Sequence, residues 1–291
     1  MDMHGKVVLI TGANSGIGLG TAIQLAERGS EVVMVCRDPV RGQFMRKEVE
    51  EYATGPNPLL FLADLSCQTD IHALAGQLQS RLSRIDVLIN NAGAIFARRQ
   101  LTSEGIEMTL AINHLAPFLL TKLLLGLVEA APAGRIINVA SQFHSSSLDF
   151  SNMQGERSYN CLAVYRMSKL LNILFTYELA RRLAGSTITV NCVSPGPTAT
   201  RFGSTLTGLP ALLSFLIRKL PLLLAYPEQG ARGPVYVASS PVLAGVSGRF
   251  FLRCRETRTN PITYVPEVAA RVWEISEALC AQSVSKLATV A

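Results

Sequence analysis

Short apolar runs alternate with stretches of helical period almost from the first residue. Val7-Val8-Leu9-Ile10 is continuous and β-branched, as a strand buried on both faces should be. The turn Thr11-Gly12-Ala13-Asn14-Ser15-Gly16-Ile17-Gly18 then leads into a helix running to about Glu27. Arg28-Gly29 closes that helix, with glycine just past the end where a helix accepts it best. The same rhythm predicts strands over 31–36, 58–63, 86–89, 135–140, 188–193 and 248–252. It predicts helices over 40–52, 67–82, 102–131 with a kink at Pro117, 161–183 and 227–239. Alternation of this kind belongs to an α/β protein with one doubly wound parallel sheet and helices on both faces. No linker, repeat or low-complexity tract divides the chain, so a single domain is expected over residues 1–282. An irregular leucine-rich lid is expected at about 202–226 and a frayed tail at 283–291.

Composition narrows the class. The chain has 291 residues, 48% hydrophobic and 16% charged, which excludes disorder. Lys+Arg 27 against Asp+Glu 21 gives a net charge of +6, but the basic residues are scattered rather than striped. That argues against nucleic acid as a partner and for tolerance of an anionic ligand. Six cysteines lie far apart with no Cys-x-x-Cys spacing, so neither a disulfide framework nor a metal site is expected, and a reducing, cytoplasmic setting is. The first residues run directly into a strand pattern, which leaves no room for a signal peptide. Residues 209–225 are interrupted by Pro210, Arg218, Lys219 and Pro221, too short and broken to span a bilayer.

The first strand–helix junction carries the strongest local chemistry. Gly12, Gly16 and Gly18, with Asn14, Ser15 and Ile17 between them, let the backbone turn tightly and point helix N–H groups at a pyrophosphate, the arrangement of a Rossmann fold. At the end of the second strand, where a carboxylate would bind the ribose hydroxyls of NAD, stand Cys36 and Arg37. Arginine suits a 2′-phosphate, so NADP(H) is expected over NAD(H). Asp64 and Leu65 close the third strand, where a carboxylate can accept from an adenine amino group. Asn91, Ala92 and Gly93 supply the small residues that a crevice at the carboxyl ends of strands requires.

A second group lies further on. Tyr165 and Lys169 are four residues apart in a predicted helix, so both emerge on one face. A phenol with pKa near 10 is a poor base at neutral pH, but a nearby ammonium favours the phenolate. Ser141 ends the preceding strand and reaches the same rim, and Asn113 sits mid-helix, where asparagine is disfavoured.

Together, Thr11-Gly-x-x-x-Gly-x-Gly18, Asn90-Asn-Ala-Gly93, Asn113, Ser141, Tyr165-x-x-x-Lys169 and Pro195-Gly196 resemble the short-chain dehydrogenase/reductase family over about residues 5–280. The resemblance implies that Tyr165 exchanges a proton with the substrate oxygen and that Ser141 holds that oxygen. Lys169 would bind the nicotinamide ribose and depress the tyrosine pKa, while Asn113 would anchor a water in a proton relay. Pro195, Gly196, Thr198 and Thr200 match positions used around the nicotinamide carboxamide. The helices over 102–131 and 161–183 commonly pair between subunits in this family, which implies a homodimer. The run 165–183, Pro227-Glu-Gln-Gly-Ala-Arg232 and Gly245-Val-Ser-Gly-Arg-Phe-Phe251 are similar to the retinol-dehydrogenase-like subgroup, which acts on retinoids and other lipophilic aldehydes, generally with NADPH. Ser194 stands where many of its members carry histidine.

The expected activity is hydride transfer between NADP(H) and an apolar aldehyde, ketone or alcohol. The alternative from another class is a nucleotide-binding sensor or scaffold with vestigial catalysis. The leucines of the 202–226 segment fit three uses: packing on the core, lining a substrate cavity, or touching a membrane surface.

Overall fold

Strand β1 (Val7–Thr11) is paired in parallel on both sides, to β2 (Glu31–Cys36) through Val8↔Val32 and to β4 (Val87–Asn90) through Leu9↔Leu88. The protein was analysed as a computed structural model, which describes residues 1–196 and 227–288, the side chains of 227–228 and 282–288 excepted. Within them β3 (Leu59–Leu62), β5 (Arg135–Val139), β6 (Thr189–Ser194), β7 (Arg249–Leu252) and β8 (Arg255–Glu256) complete a sheet of order β3-β2-β1-β4-β5-β6-β7-β8. Every pairing is parallel except β7 with β8. The order reverses between β1 and β4, which opens a crevice at the carboxyl ends of those strands.

The central strands are apolar throughout because both faces are roofed. On one face α1 (Gly16–Ala26) packs with α2 (Pro39–Tyr52) and α6 (Pro227–Ser239) over Val8, Ile10, Met34 and Ile89. On the other, α3 (Gln68–Arg81), α4 (Met108–Glu129), α5 (Cys161–Arg182) and α7 (Pro266–Ala288) cover Leu9, Leu88, Ile136 and Val190. Helix α4 is long and apolar enough to cross a membrane, yet 67% of its apolar window is buried inside this fold.

Four boundaries depart from the sequence pattern for local reasons. Helix α4 begins at Met108, because Thr102 to Gly105 form a turn and Leu101 bridges Glu107. The expected kink at Pro117 is instead a π turn over Ala111–Leu115, just upstream of the proline. The arginine-rich stretch after β7, to which the sequence pattern assigns no element, is a hairpin to β8 whose two turn residues, Arg253 and Cys254, have φ of 51° and 61°. Helix α7 reaches Ala288, into the segment expected as a tail. The lid expected at 202–226, and any membrane contact through it, lie outside the described residues.

Helix α7 also covers α4 and α5. Trp273 sits edge-on to Phe118 at 4.9 Å and tilted against Phe175 at 6.0 Å, with the Arg182 guanidinium 4.1 Å from its ring centroid. Lys122 pairs with Glu277 at the edge of this cluster, its ammonium 5.5 Å from the Phe118 ring centroid and 5.9 Å from that of Trp273. As a result α5 is buried on every face from Ser168 to Leu179, apart from half-buried Tyr177.

Candidate active site

The β1–α1 turn and the exit of β4 are built as one unit. The Thr11 hydroxyl accepts from the Asn91 and Ala92 N–H groups, both at 3.0 Å, and the Asn91 amide donates to the Thr11 carbonyl at 2.8 Å. A Cβ on Gly18 would lie 2.3 Å from the Gly12 carbonyl oxygen and 2.5 Å from Asn91 Nδ2, so only glycine fits there. Gly12 has φ of 66°, and a Cβ on it would stand 3.1 Å from Ala92 Cα. Asn91, expected to face a cofactor, therefore spends its side chain on holding the two loops together.

This loop suits a dinucleotide. Ser15 is the N-cap of α1 but makes no side-chain capping bond, and the first turn holds no acidic residue. The N-terminal N–H groups of α1 are thus left for an external anion, next to a backbone stripped of Cβ atoms. By contrast Asp38 caps α2 and Asn160 caps α5 with their own oxygens.

At the end of β2, Arg37 is exposed and its guanidinium lies 3.9 Å from the Asp64 carboxylate. Asp64 also accepts from the Ser66 N–H and hydroxyl, so it shapes the β3 exit loop. Leu65 packs at the edge of the core. Arg41, which the sequence reading passed over, donates from Nε to the Asn14 carbonyl at 2.9 Å. That bond puts a second guanidinium beside the glycine turn. Its signal was a basic residue four positions after Arg37, on the first turn of the helix that follows β2.

The second group converges on the ends of β4, β5 and α5. The Ser141 hydroxyl accepts from the Phe143 N–H at 3.1 Å and hydrogen-bonds Tyr165. Burial dominates the tyrosine and pushes it up to about 12, against the lowering effect of Ser141. Burial also lowers the Lys169 ammonium to about 8. The depression of the phenol by Lys169 implied by the resemblance is therefore not produced by the chain's own groups: Lys169 Nζ lies 5.7 Å from the Tyr165 ring centroid and donates to the Val139 carbonyl at 3.0 Å. Desolvation outweighs a cation at that distance.

Asn113 stands in the π turn. Its side chain accepts from the Ala94 N–H at 2.7 Å and donates to the Ala94 carbonyl and the Ser168 hydroxyl, both at 3.0 Å. Pro117 has no N–H to give the Asn113 carbonyl, so that oxygen loses its usual helical partner. A Cβ on Gly93 would sit 3.5 Å from both Asn113 Oδ1 and Lys169 Nζ, which places Gly93 at the centre of the group.

His144, which unlike Arg41 carried no sequence signal, supports Ser141 from behind. Its Nε2 takes the Asn260 N–H at 3.2 Å, so its Nδ1 carries the proton and donates to the Ser141 carbonyl at 2.9 Å. Ser194 Oγ accepts from the Gln142 N–H at 3.0 Å and ties the exits of β5 and β6 at Pro195 and Gly196. Thr198 and Thr200 lie outside the described residues.

The arrangement offers a buried phenol, a hydroxyl and an ammonium at one end of the crevice and an anion cradle at the other. A match to the short chain dehydrogenase family runs over residues 6–208. The chain is 40% identical to human retinol dehydrogenase 14 over 292 residues, 95% of this chain and 87% of that one. Among solved structures, an uncharacterised protein from Mycobacterium paratuberculosis superposes with a TM-score of 0.76 at 29% identity, covering 96% of this chain and 94% of that one. A Beutenbergia cavernae protein assigned as an NAD(P)-dependent gluconate 5-dehydrogenase, with NADP bound at low occupancy, superposes with a TM-score of 0.67 at 26% identity, covering 87% and 96%. The chain belongs to the short-chain dehydrogenase/reductase family, in its retinol-dehydrogenase-like branch, and is an oxidoreductase of alcohol and carbonyl groups that works with a nicotinamide cofactor.

Proposed function

We propose that the protein is an NADP(H)-dependent carbonyl reductase, reversible as an alcohol dehydrogenase, acting on apolar aldehydes or ketones of the retinal type. The observation that carries this is the pairing of Tyr165 with Ser141, four residues from a buried Lys169 and beside Gly93. A bound reduced nicotinamide supplies the hydride.

The chain's own residues do the rest. With its pKa held near 12 by burial, Tyr165 is protonated at neutral pH, the form a proton donor needs. The Ser141 oxygen is occupied as an acceptor by Phe143, so its O–H is directed at the substrate oxygen or Tyr165. As the carbonyl carbon accepts two electrons, Tyr165 hands its proton to the developing alkoxide. The resulting phenolate is stabilised by the Ser141 hydroxyl. Asn113 keeps the Ala94 loop at the same rim.

Support for NADP(H) comes from Arg37 and Arg41. Arg41 reaches the glycine turn, Arg37 stands at the exit of β2 beside Asp64, and the Asp38 carboxylate that follows is taken up by the Arg41 N–H as the cap of α2. Support for a lipophilic substrate comes from the name of the relative and from exposed Phe143 and Leu162, which flank Ser141 and Tyr165 in the chain. Helix α7 packs on α5, one of the two helices through which the family resemblance implies pairing, so this reading carries the enzyme as a monomer. The test is NADPH oxidation followed against a panel of apolar aldehydes, with Tyr165→Phe in parallel. Turnover that depends on Tyr165 is expected; NADPH binding without oxidation of any aldehyde would overturn the proposal.

A further inference from the structure

We propose that His114 is a positioning residue for this reaction: it locks the π turn that carries Asn113 to helix α7 through Ser276. The inference rests on the reading of the site given above and names a part of it that the reaction itself does not display.

A π turn inside an α-helix is a strained insertion that persists only where its surroundings hold it. Here the Ala116 N–H reaches back to the Ala111 carbonyl, and Pro117 follows immediately. One side of the turn is held by Asn113, whose amide is spent on Ala94 and Ser168. The other side is held by the next residue. His114 is fully buried, with Nε2 2.8 Å from Ser276 Oγ and Nδ1 3.3 Å from the Asn172 side chain.

The protons in this network can be assigned. Ser276 donates its own hydrogen to the Val272 carbonyl at 2.7 Å, so it accepts from His114 Nε2–H. Nδ1 then holds the lone pair, so the Asn172 amide, whose Oδ1 stands 3.3 Å from Nδ1 in the structure, has to exchange its oxygen and nitrogen to donate there. The neutral ring this needs agrees with burial, which lowers the imidazole to about 4. The rings of Phe118 and Phe175 stand against it, each with its centroid 6.3 Å away. Asn172 lies three residues beyond Lys169 on α5, and Ser276 lies on α7. One imidazole therefore joins α4, α5 and α7 directly behind Asn113. A histidine that merely filled space would need neither bond.

The test uses the full chain with three variants and two readouts. Ser276→Ala and His114→Leu remove the link, while His114→Gln keeps an N–H aimed at Ser276. Expected for the first two is a fall in kcat of about tenfold with KM for the aldehyde nearly unchanged, and recovery to within about threefold in His114→Gln. The second readout is hydrogen exchange of the Ala94 amide, which bonds Asn113 Oδ1; it should speed up about tenfold in the same two variants. Glu277→Gln, which cuts the Lys122 ion pair on the same helix, should leave both readouts unchanged. Loss of melting temperature in Ser276→Ala with unchanged kcat and unchanged Ala94 exchange would overturn the proposal, as would an equal effect of Glu277→Gln. If the wild-type chain reduces no aldehyde, the proposed function fails, and Ala94 exchange alone still decides the role of His114.

Discussion

Lys169 gives its ammonium to the Val139 carbonyl, 3.0 Å away across the junction of α5 and β5. That bond anchors a cation in a place that burial makes unfavourable, and the sign of the effect is testable. The folded-state pKa is about 8, against 10.5 for an unshifted lysine. Below pH 8 both states are charged and the folded protein carries the full cost of the buried ammonium, on the order of 3 kcal/mol. Between pH 8 and 10.5 only the unfolded chain holds the proton, so the cost fades as pH rises. Urea unfolding of wild type and Lys169→Met across that range should show wild type gaining about 3 kcal/mol relative to the variant. A difference that stays flat with pH would show that the ammonium is not desolvated.

Tyr165→Phe removes one hydroxyl from the half-buried first turns of α5. Steady-state reduction should fall by about 10²–10⁴-fold in kcat, while NADPH affinity by fluorescence titration stays within a few-fold. Ser141→Ala should lower the same parameter by a smaller factor, since it removes a hydrogen bond and no proton.

Arg37→Asp and Arg41→Ala address the 2′-phosphate. Each should weaken NADPH relative to NADH by about 10–100-fold, the value of a charge-assisted bond or two. Arg41→Ala also frees the Asn14 carbonyl, so NADH affinity should fall slightly in that variant alone. Titration of both coenzymes separates the two effects.

Gly18→Ala sets a methyl 2.3 Å from the Gly12 carbonyl oxygen, and backbone cannot yield as a side-chain end can. Destabilisation of about 1–3 kcal/mol and loss of coenzyme binding are expected in thermal shift with and without NADPH. Gly126→Ala on α4 meets nothing within 4 Å and should instead stabilise by roughly 0.5–1 kcal/mol.

Sedimentation velocity at micromolar concentration should show a monomer, because Trp273, Ser276 and Glu277 of α7 already pack on α4 and α5, the helices through which the family resemblance implies pairing. A concentration-dependent dimer would place the interface elsewhere on the chain.

Much of this was legible along the chain because it depends on local chemistry. Continuous β-branched runs at Val7, Val32 and Ile136 mark strands buried on both faces, and their observed limits fall within one or two residues of the pattern. The glycine turn announces its own geometry, since no other residue type allows that approach. The π turn did not announce itself, because apolar periodicity cannot separate a five-residue turn from a four-residue one. The hairpin at Arg253 and Cys254 was equally silent, since neither residue type favours a positive φ.

The order of residue types by itself determined the α/β class, the nucleotide turn and the Tyr165–Lys169 pair, since each follows from neighbours within a few positions. Tertiary structure alone decided what surrounds them. Burial sets Tyr165 near 12 and Lys169 near 8, and His114 meets Ser276 across 162 positions of sequence. Solvent exclusion and long-range contact depend on how elements pack, and a one-dimensional pattern carries no distance between residues so far apart.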